Sequence, residues 1–178
     1  MGDLVFLTGF PGFIATRLLK RLARDDLRFV LLVQPGLVQQ AEEEVSDIAR
    51  QMSRDITDFQ LAVGDIAQPH LGLNDADLQI IRSQSNIVFH LAAIYDLAVA
   101  RDVALRVNLE GTRNVNGFVR TLPNLKHYHY VSTCYVAGKR KGVIRETELR
   151  HDAGFRNHYE ESKYLAELEV ENLRTKYR

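Results

Sequence analysis

The chain carries one cysteine, Cys134, in 178 residues. No intrachain disulfide can form, and nothing in the composition asks for an oxidising compartment. Charge of either sign is not in excess, because 23 Lys and Arg balance 23 Asp and Glu. A neutral chain offers no electrostatic footprint for nucleic acid or an anionic membrane surface. No apolar run reaches the roughly 20 residues that a membrane span needs. The opening "MGDLVFLTG" lacks the basic-then-apolar layout of a secretion signal, and Phe6 stands where a myristoylation site carries Ser or Thr. Repeats, low-complexity tracts and linkers are missing too. These absences, with 46% apolar and 26% charged residues, predict a cytoplasmic protein folded as one domain over residues 1–178.

What is present is an alternation of short apolar runs and helical stretches. "LVFLTG" (4–9) reads as a buried strand closed by glycine. "FIATRLLKRLARDD" follows, with Ile14, Leu18 and Leu22 on one helical stripe and charge opposite. Further strands are expected at "RFVLLVQ" (28–34), "DFQLAVGD" (58–65), "NIVFHLAA" (86–93) and "LKHYHYVST" (125–133). Helices are expected at 37–52, at 74–84 with Asn74 as N-cap, at 99–121, and over the closing "HYEESKYLAELEVENL" (158–173). Such alternation implies a doubly wound parallel α/β sheet of about five strands with helices on both faces. Ligands on such sheets bind beyond the carboxyl ends of the strands, near the switch point.

The turn after the first strand reads "TGFPGFIA", with Gly9, Gly12 and Ala15 at three-residue spacing. A tight bend needs the first glycine, and close approach of a pyrophosphate needs the second. A small third residue lets the helix pack against its strand. The first amides of the helix supply the positive end for phosphate. The context of strand before and amphipathic helix after favours dinucleotide binding over a plain turn. The end of the second strand carries Gln34, where an acid would select NAD(H) and an arginine NADP(H). Glutamine excludes neither.

The motifs "TGFPGFIA", "GDI" (64–66), "HLAA" (90–93), "NLEGT" (108–112), "VST" (131–133) and "YEESK" (159–163) follow in order over nearly the whole chain. In this order the chain resembles the extended short-chain dehydrogenase/reductases, which implies a Rossmann-like domain. "LGL" after "GDI", "VSTCYVAG" and "GVIRETEL" are similar to the male-sterility branch, which includes fatty acyl-CoA reductases and carrier-protein thioester reductases. The resemblance implies a cofactor site made by Thr8, Gly9, Phe10, Pro11, Gly12, Phe13, Ile14, Gln34, Asp65, Ile66, Leu91, Ala92, Ala93, Tyr159 and Lys163. Asp65 would bond the adenine amine, and Leu91 to Ala93 would wall the nicotinamide ribose.

For catalysis the resemblance implies Tyr159 as the acid that protonates a carbonyl oxygen, Thr133 as the hydroxyl beside it, and Asn108 as support for a relay water. Asn108 reads equally well as a polar helix residue, and Ser132 as a cap on the strand end. A free tyrosine, with pKa about 10, is poorly placed for neutral acid–base work, and an ammonium one turn away would lower it. Tyr159, Lys163, Ala166, Val170, Leu173 and Tyr177 form one stripe, with Glu160, Glu167, Glu171 and Arg174 expected on the wet side. A lysine on the buried stripe needs a partner, and a cofactor ribose would supply one. A surface lysine paired along the helix is the alternative. Gly111 is expected to be tolerated in its helix for close packing. His127 and His129 alternate on a strand without a third ligand in view, so no metal is expected. "KRK" (139–141) could meet a phosphopantetheine phosphate or acidic carrier protein, or be a solvated loop.

Members of this family run longer and close a C-terminal lobe over the substrate. That lobe is expected to be missing from a chain ending at Arg178. The fifth strand is then an exposed edge, and self-association through it or through the terminal helices is expected. The resulting expectation is an NAD(P)H-dependent reductase of acyl thioesters, small-molecule or carrier-bound, with NADP(H) favoured over NAD(H) by the resemblance. The alternatives are a sugar-nucleotide epimerase or dehydratase, and a silent dinucleotide binder.

Overall fold

In the computed structural model, which describes residues 2–176, the five apolar runs become five strands. They are β1 (Leu4–Thr8), β2 (Arg28–Val33), β3 (Phe59–Val63), β4 (Ser85–His90) and β5 (His127–Tyr130), ordered β3-β2-β1-β4-β5. Every neighbouring pair is parallel. The chain winds outward from β1 through β2 to β3, then crosses to the other side for β4 and β5. The switch point therefore lies between β1 and β4. All five residues of β1 are buried, whereas β5 alternates exposed and half-buried at the sheet edge.

The period-2 alternation of strand side chains divides the core into two layers. Val5, Leu7, Phe29, Leu31, Val33 and Phe59 face helices α1 (Phe13–Leu22) and α2 (Val38–Met52). Leu4, Phe6, Val30, Leu32, Ala62 and Val88 face the opposite layer, built by α3 (Asp75–Gln84) and α5 (Gly111–Val119). Phe29 stacks on Phe59 at 5.2 Å, and Phe118 of α5 meets Phe6 edge-on at 5.8 Å. Fully burying one such side chain stabilises by about 1.5–3 kcal/mol. The helices cover both faces, as the doubly wound reading requires. Asn74 caps α3, its side chain accepting from the Asp77 amide at 2.9 Å.

Three elements depart from expectation. The buried face of α1 is Ala15 and Leu19 with Leu18 and Leu22 beside them, while Ile14 is exposed. The helix expected over 99–121 is three pieces: α4 (Arg101–Ala104), a π-helical segment (Leu105–Glu110) and α5. The widened turns aim Asn108 sideways at the loop after β4, an arrangement common where a helix serves a site. The last helix, α6 (His158–Lys176), buries Tyr159, Lys163 and Ala166 as expected, but also Glu160 and Ser162. Glu160 is buried because Asn157 and Glu160 form a reciprocal N-terminal cap. The Asn157 side chain accepts from the Glu160 amide at 2.9 Å, and the Glu160 carboxylate from the Arg156 amide at 3.0 Å. Glu167 is turned inward to Ser132 rather than to water. Tyr177, the last member of the expected stripe, lies outside the described residues. Among the described residues no helix is long and apolar enough to cross a membrane.

Candidate active site at the carboxyl ends of the strands

Gly9 leaves β1 with φ +90°, and a Cβ there would stand 2.7 Å from the Ala92 amide nitrogen. Only glycine meets both the conformation and the close approach of the loop after β4. Gly12 is the N-cap of α1, its own amide bonded to the Gly9 carbonyl at 2.8 Å. A Cβ on Gly12 would lie 2.7 Å from that carbonyl. The helix amides beyond it open into a cleft of about 630 Å³.

The cleft brings together most of the residues expected at a cofactor site. Gly9, Phe10, Gly12, Phe13 and Ile14 line it from the turn, Gln34 from β2, Asp65 and Ile66 from β3, Leu91 to Ala93 from β4, and Tyr159 and Lys163 from α6. Phe10 is at the same time part of the core behind the turn. Thr8 and Pro11 do not line it; both are buried behind the turn. Asp65 spends one carboxylate oxygen on the Ala67 amide at 2.9 Å. A Cβ on Gly111 would meet Ile66 Cδ1 at 2.6 Å, so glycine is what lets α5 lie against the β3 end of the cleft. Glycines without room for a Cβ, a helix N-terminus and an elongated cleft across the switch point together fit a dinucleotide.

Tyr159 is buried where it lines the cleft, and Thr133, beside it but not in the lining, accepts from the Tyr135 amide at 3.3 Å. Burial pushes the Tyr159 phenol up and the Thr133 bond pulls it part-way down. The ring is flanked edge-on by Tyr95 at 4.9 Å and Tyr135 at 6.3 Å, both exposed. The expectation that Lys163 lowers the tyrosine is not met in this arrangement. The ammonium donates instead to Tyr130 Oη at 2.8 Å and the Val131 carbonyl at 3.0 Å, and lies 4.4 Å from the Tyr130 ring. Burial lowers Lys163 to about 8, against an opposing pull from Glu167. Lys163 is thus buried, and the surface-pair alternative falls.

Asn108 is committed to structure. Its oxygen accepts from the Ile94 amide at 2.9 Å, and its nitrogen donates to the Ile94 carbonyl at 3.2 Å and to Ser162 Oγ at 2.9 Å. It ties the π-helical segment to the loop after β4 and to α6.

His90, the family-typical strand-end residue that heads "HLAA", is fully buried between two threonines. Nδ1 is 2.8 Å from Thr8 Oγ1, and Nε2 is 3.1 Å from Thr112 Oγ1. The Thr112 hydroxyl donates to the Asn108 carbonyl at 2.6 Å, so it accepts from Nε2–H; Thr8 accepts from the Ala92 amide at 3.1 Å and donates to Nδ1. The network assigns the neutral Nε2–H tautomer. Burial, aided by Lys163, lowers the His90 pKa to about 3. Ser132, Tyr95 and Val107 also line the cleft without having been expected there. His127 and His129 stack on each other at 6.0 Å at the exposed edge, and among the described residues no cluster could hold a metal. Arg140, the middle residue of "KRK", donates to the Ala137 carbonyl at 3.0 Å, and Arg156 donates to the Gly138 carbonyl beside it.

The family model of an NAD-binding domain described as "Male sterility protein" matches residues 7–178. The chain belongs to this family. The branch named from the motifs is the one that matches. Among curated proteins the chain is 29% identical to mouse fatty acyl-CoA reductase 1, covering 80% of this chain and 30% of that one. It is 29% identical to Arabidopsis thaliana fatty acyl-CoA reductase 2, chloroplastic, covering 82% and 26%. Among solved structures, the terminal R domain of the myxalamid PKS-NRPS pathway superposes with a TM-score of 0.83 at 27% identity, over 98% of this chain and 46% of that one. The chain thus spans less than half the length of each. A UDP-Glc/GlcNAc 4-epimerase from Campylobacter jejuni shares the fold, with a TM-score of 0.78 at 17% identity.

Proposed function

We propose that this member of the male sterility family is the dinucleotide-binding part of a reductase that takes an acyl thioester, on CoA or on a carrier protein, to an aldehyde. The supporting observation is that Tyr159 and Lys163 line the same cleft as the Gly9–Gly12 turn, with Thr133 beside Tyr159. A reduced nicotinamide bound there supplies the hydride. The residues of the chain handle the proton and the geometry. Tyr159, kept protonated by burial, donates to the carbonyl oxygen as hydride reaches its carbon, and Thr133 holds that oxygen as a second hydroxyl. The hemithioacetal so formed then breaks its C–S bond, its hydroxyl proton returning through Tyr159 to the departing thiolate, which leaves aldehyde and free thiol. Lys163 offers its remaining N–H to a ribose hydroxyl. Gln34 accepts either ribose, and kinship with the reductases favours NADP(H).

Isothermal titration of the chain with NADPH and NADH, followed by assays with acyl-CoA, carrier-bound thioester and UDP-sugars, tests this reading. Binding of a reduced dinucleotide is expected, with slow turnover by these 178 residues alone, which span less than half the length of the reductases they match. Gln34→Arg should raise the NADPH preference and Gln34→Asp reverse it. Unchanged affinity ratios would place the ribose elsewhere, and turnover of UDP-sugars alone would replace the thioester reading.

A further inference from the structure

Lys163 is the one lysine buried among the described residues, and its nearest protein acceptor comes from outside its own helix. Tyr130 is the last residue of the edge strand, paired in register with His90. Its hydroxyl lies 2.8 Å from Lys163 Nζ, its ring 4.4 Å from the same atom.

We infer that Tyr130 is a positioning residue that holds the Lys163 ammonium at the cleft floor, through its hydroxyl and the face of its ring. The idea rests on the proposed role of Lys163 in binding the dinucleotide, but the arrangement itself is a property of the chain alone. Groups facing the ammonium from each neighbouring element are Tyr130 and the Val131 carbonyl, Glu167 on α6, and neutral His90 on β4. Glu167 is itself engaged by Ser132. Burial has already pushed Tyr130 upward, so the phenol stays neutral and accepts throughout the working range.

The test is the titration of Lys163 in ligand-free protein, followed by NMR of ¹³C-labelled lysine and assigned with Lys163→Met. The native break is expected near 8. Tyr130→Phe keeps the ring and its packing at 5.6 Å from His90 while removing the acceptor, so the break should fall by about one pH unit. Tyr130→Gln returns an acceptor oxygen, and its break should stay near the native one. The same order should appear in the pH at which dinucleotide affinity declines. A break unmoved in the Phe variant, or lowered equally in the Phe and Gln variants, overturns the inference. If no dinucleotide binds while the NMR breaks behave as stated, the function reading fails and the positioning role stands.

Discussion

On the β2–β3 side of β1, Phe29, Leu31 and Val33 are buried among Ala41, Val45 and Ile48 of α2, and no buried polar side chain lies on β2, β3, α1 or α2 among the described residues. On the β4–β5 side the buried residues include His90, Asn108, Thr112, Asn116, Ser162 and Lys163. The first half is held by area removed from water, at roughly 25 cal/mol per Å². Each buried polar group of the second costs about 1–3 kcal/mol if left without a partner, and little once partnered. One half therefore yields stability, and the other yields fixed positions for a few hydrogen-bonding atoms. Both reach the same cleft: the dry half through the glycine turn, the polar half through Tyr159 and Lys163.

The comparison can be broken from either side. On the proposed reading, Tyr159→Phe in any catalytically active form should lower turnover about 10²–10⁴-fold with dinucleotide affinity unchanged, because it keeps the ring and removes the proton. Steady-state kinetics beside calorimetric binding reads both. In the dry half, Leu31→Ala should cost about 2–5 kcal/mol of unfolding free energy in urea, while the Kd for dinucleotide, measured where the variant is folded, stays close to native. A large affinity loss there would mean the halves are not separable.

Acid should expose the polar half alone. The folded-state pKa of His90, about 3, lies below its unfolded value of 6.5. Between these the unfolded chain binds the extra proton, so stability is intact above 6.5 and falls with pH toward 3, by roughly 1.4 kcal/mol per unit. Denaturant midpoints across pH 4–7 should follow that slope, and His90→Gln should flatten it. The smallest effect is expected from Lys163→Met. Removing a buried charge and leaving partners that can pair elsewhere is often neutral or mildly stabilising. Its melting temperature should therefore equal or slightly exceed the native one even as dinucleotide affinity falls; a clear drop in melting temperature would mean that the ammonium holds the fold.

The amino-acid sequence by itself determined the five strands, the two-layer alternation, the cap at Asn74 and the Gly9–Gly12 turn, because each rests on local spacing and on conformations only certain residues adopt. It also placed Tyr159 and Lys163 on one helical stripe, since a 3.6-residue period can be read directly. Which groups those two side chains meet was decided by tertiary structure. Lys163 finds Tyr130 and the Val131 carbonyl, more than 30 positions earlier in the chain, and Glu167 finds Ser132. His90 is set between Thr8 and Thr112 only because parallel pairing puts β1 beside β4 and α5 crosses beneath. The π-helical turns that aim Asn108 at Ile94 and Ser162 have no helical-wheel signature, because the sequence stays helix-compatible whether the turns are tight or wide. Hydrogen bonds between distant segments depend on angles and distances of a fraction of an ångström, and spacing along a chain carries no record of them.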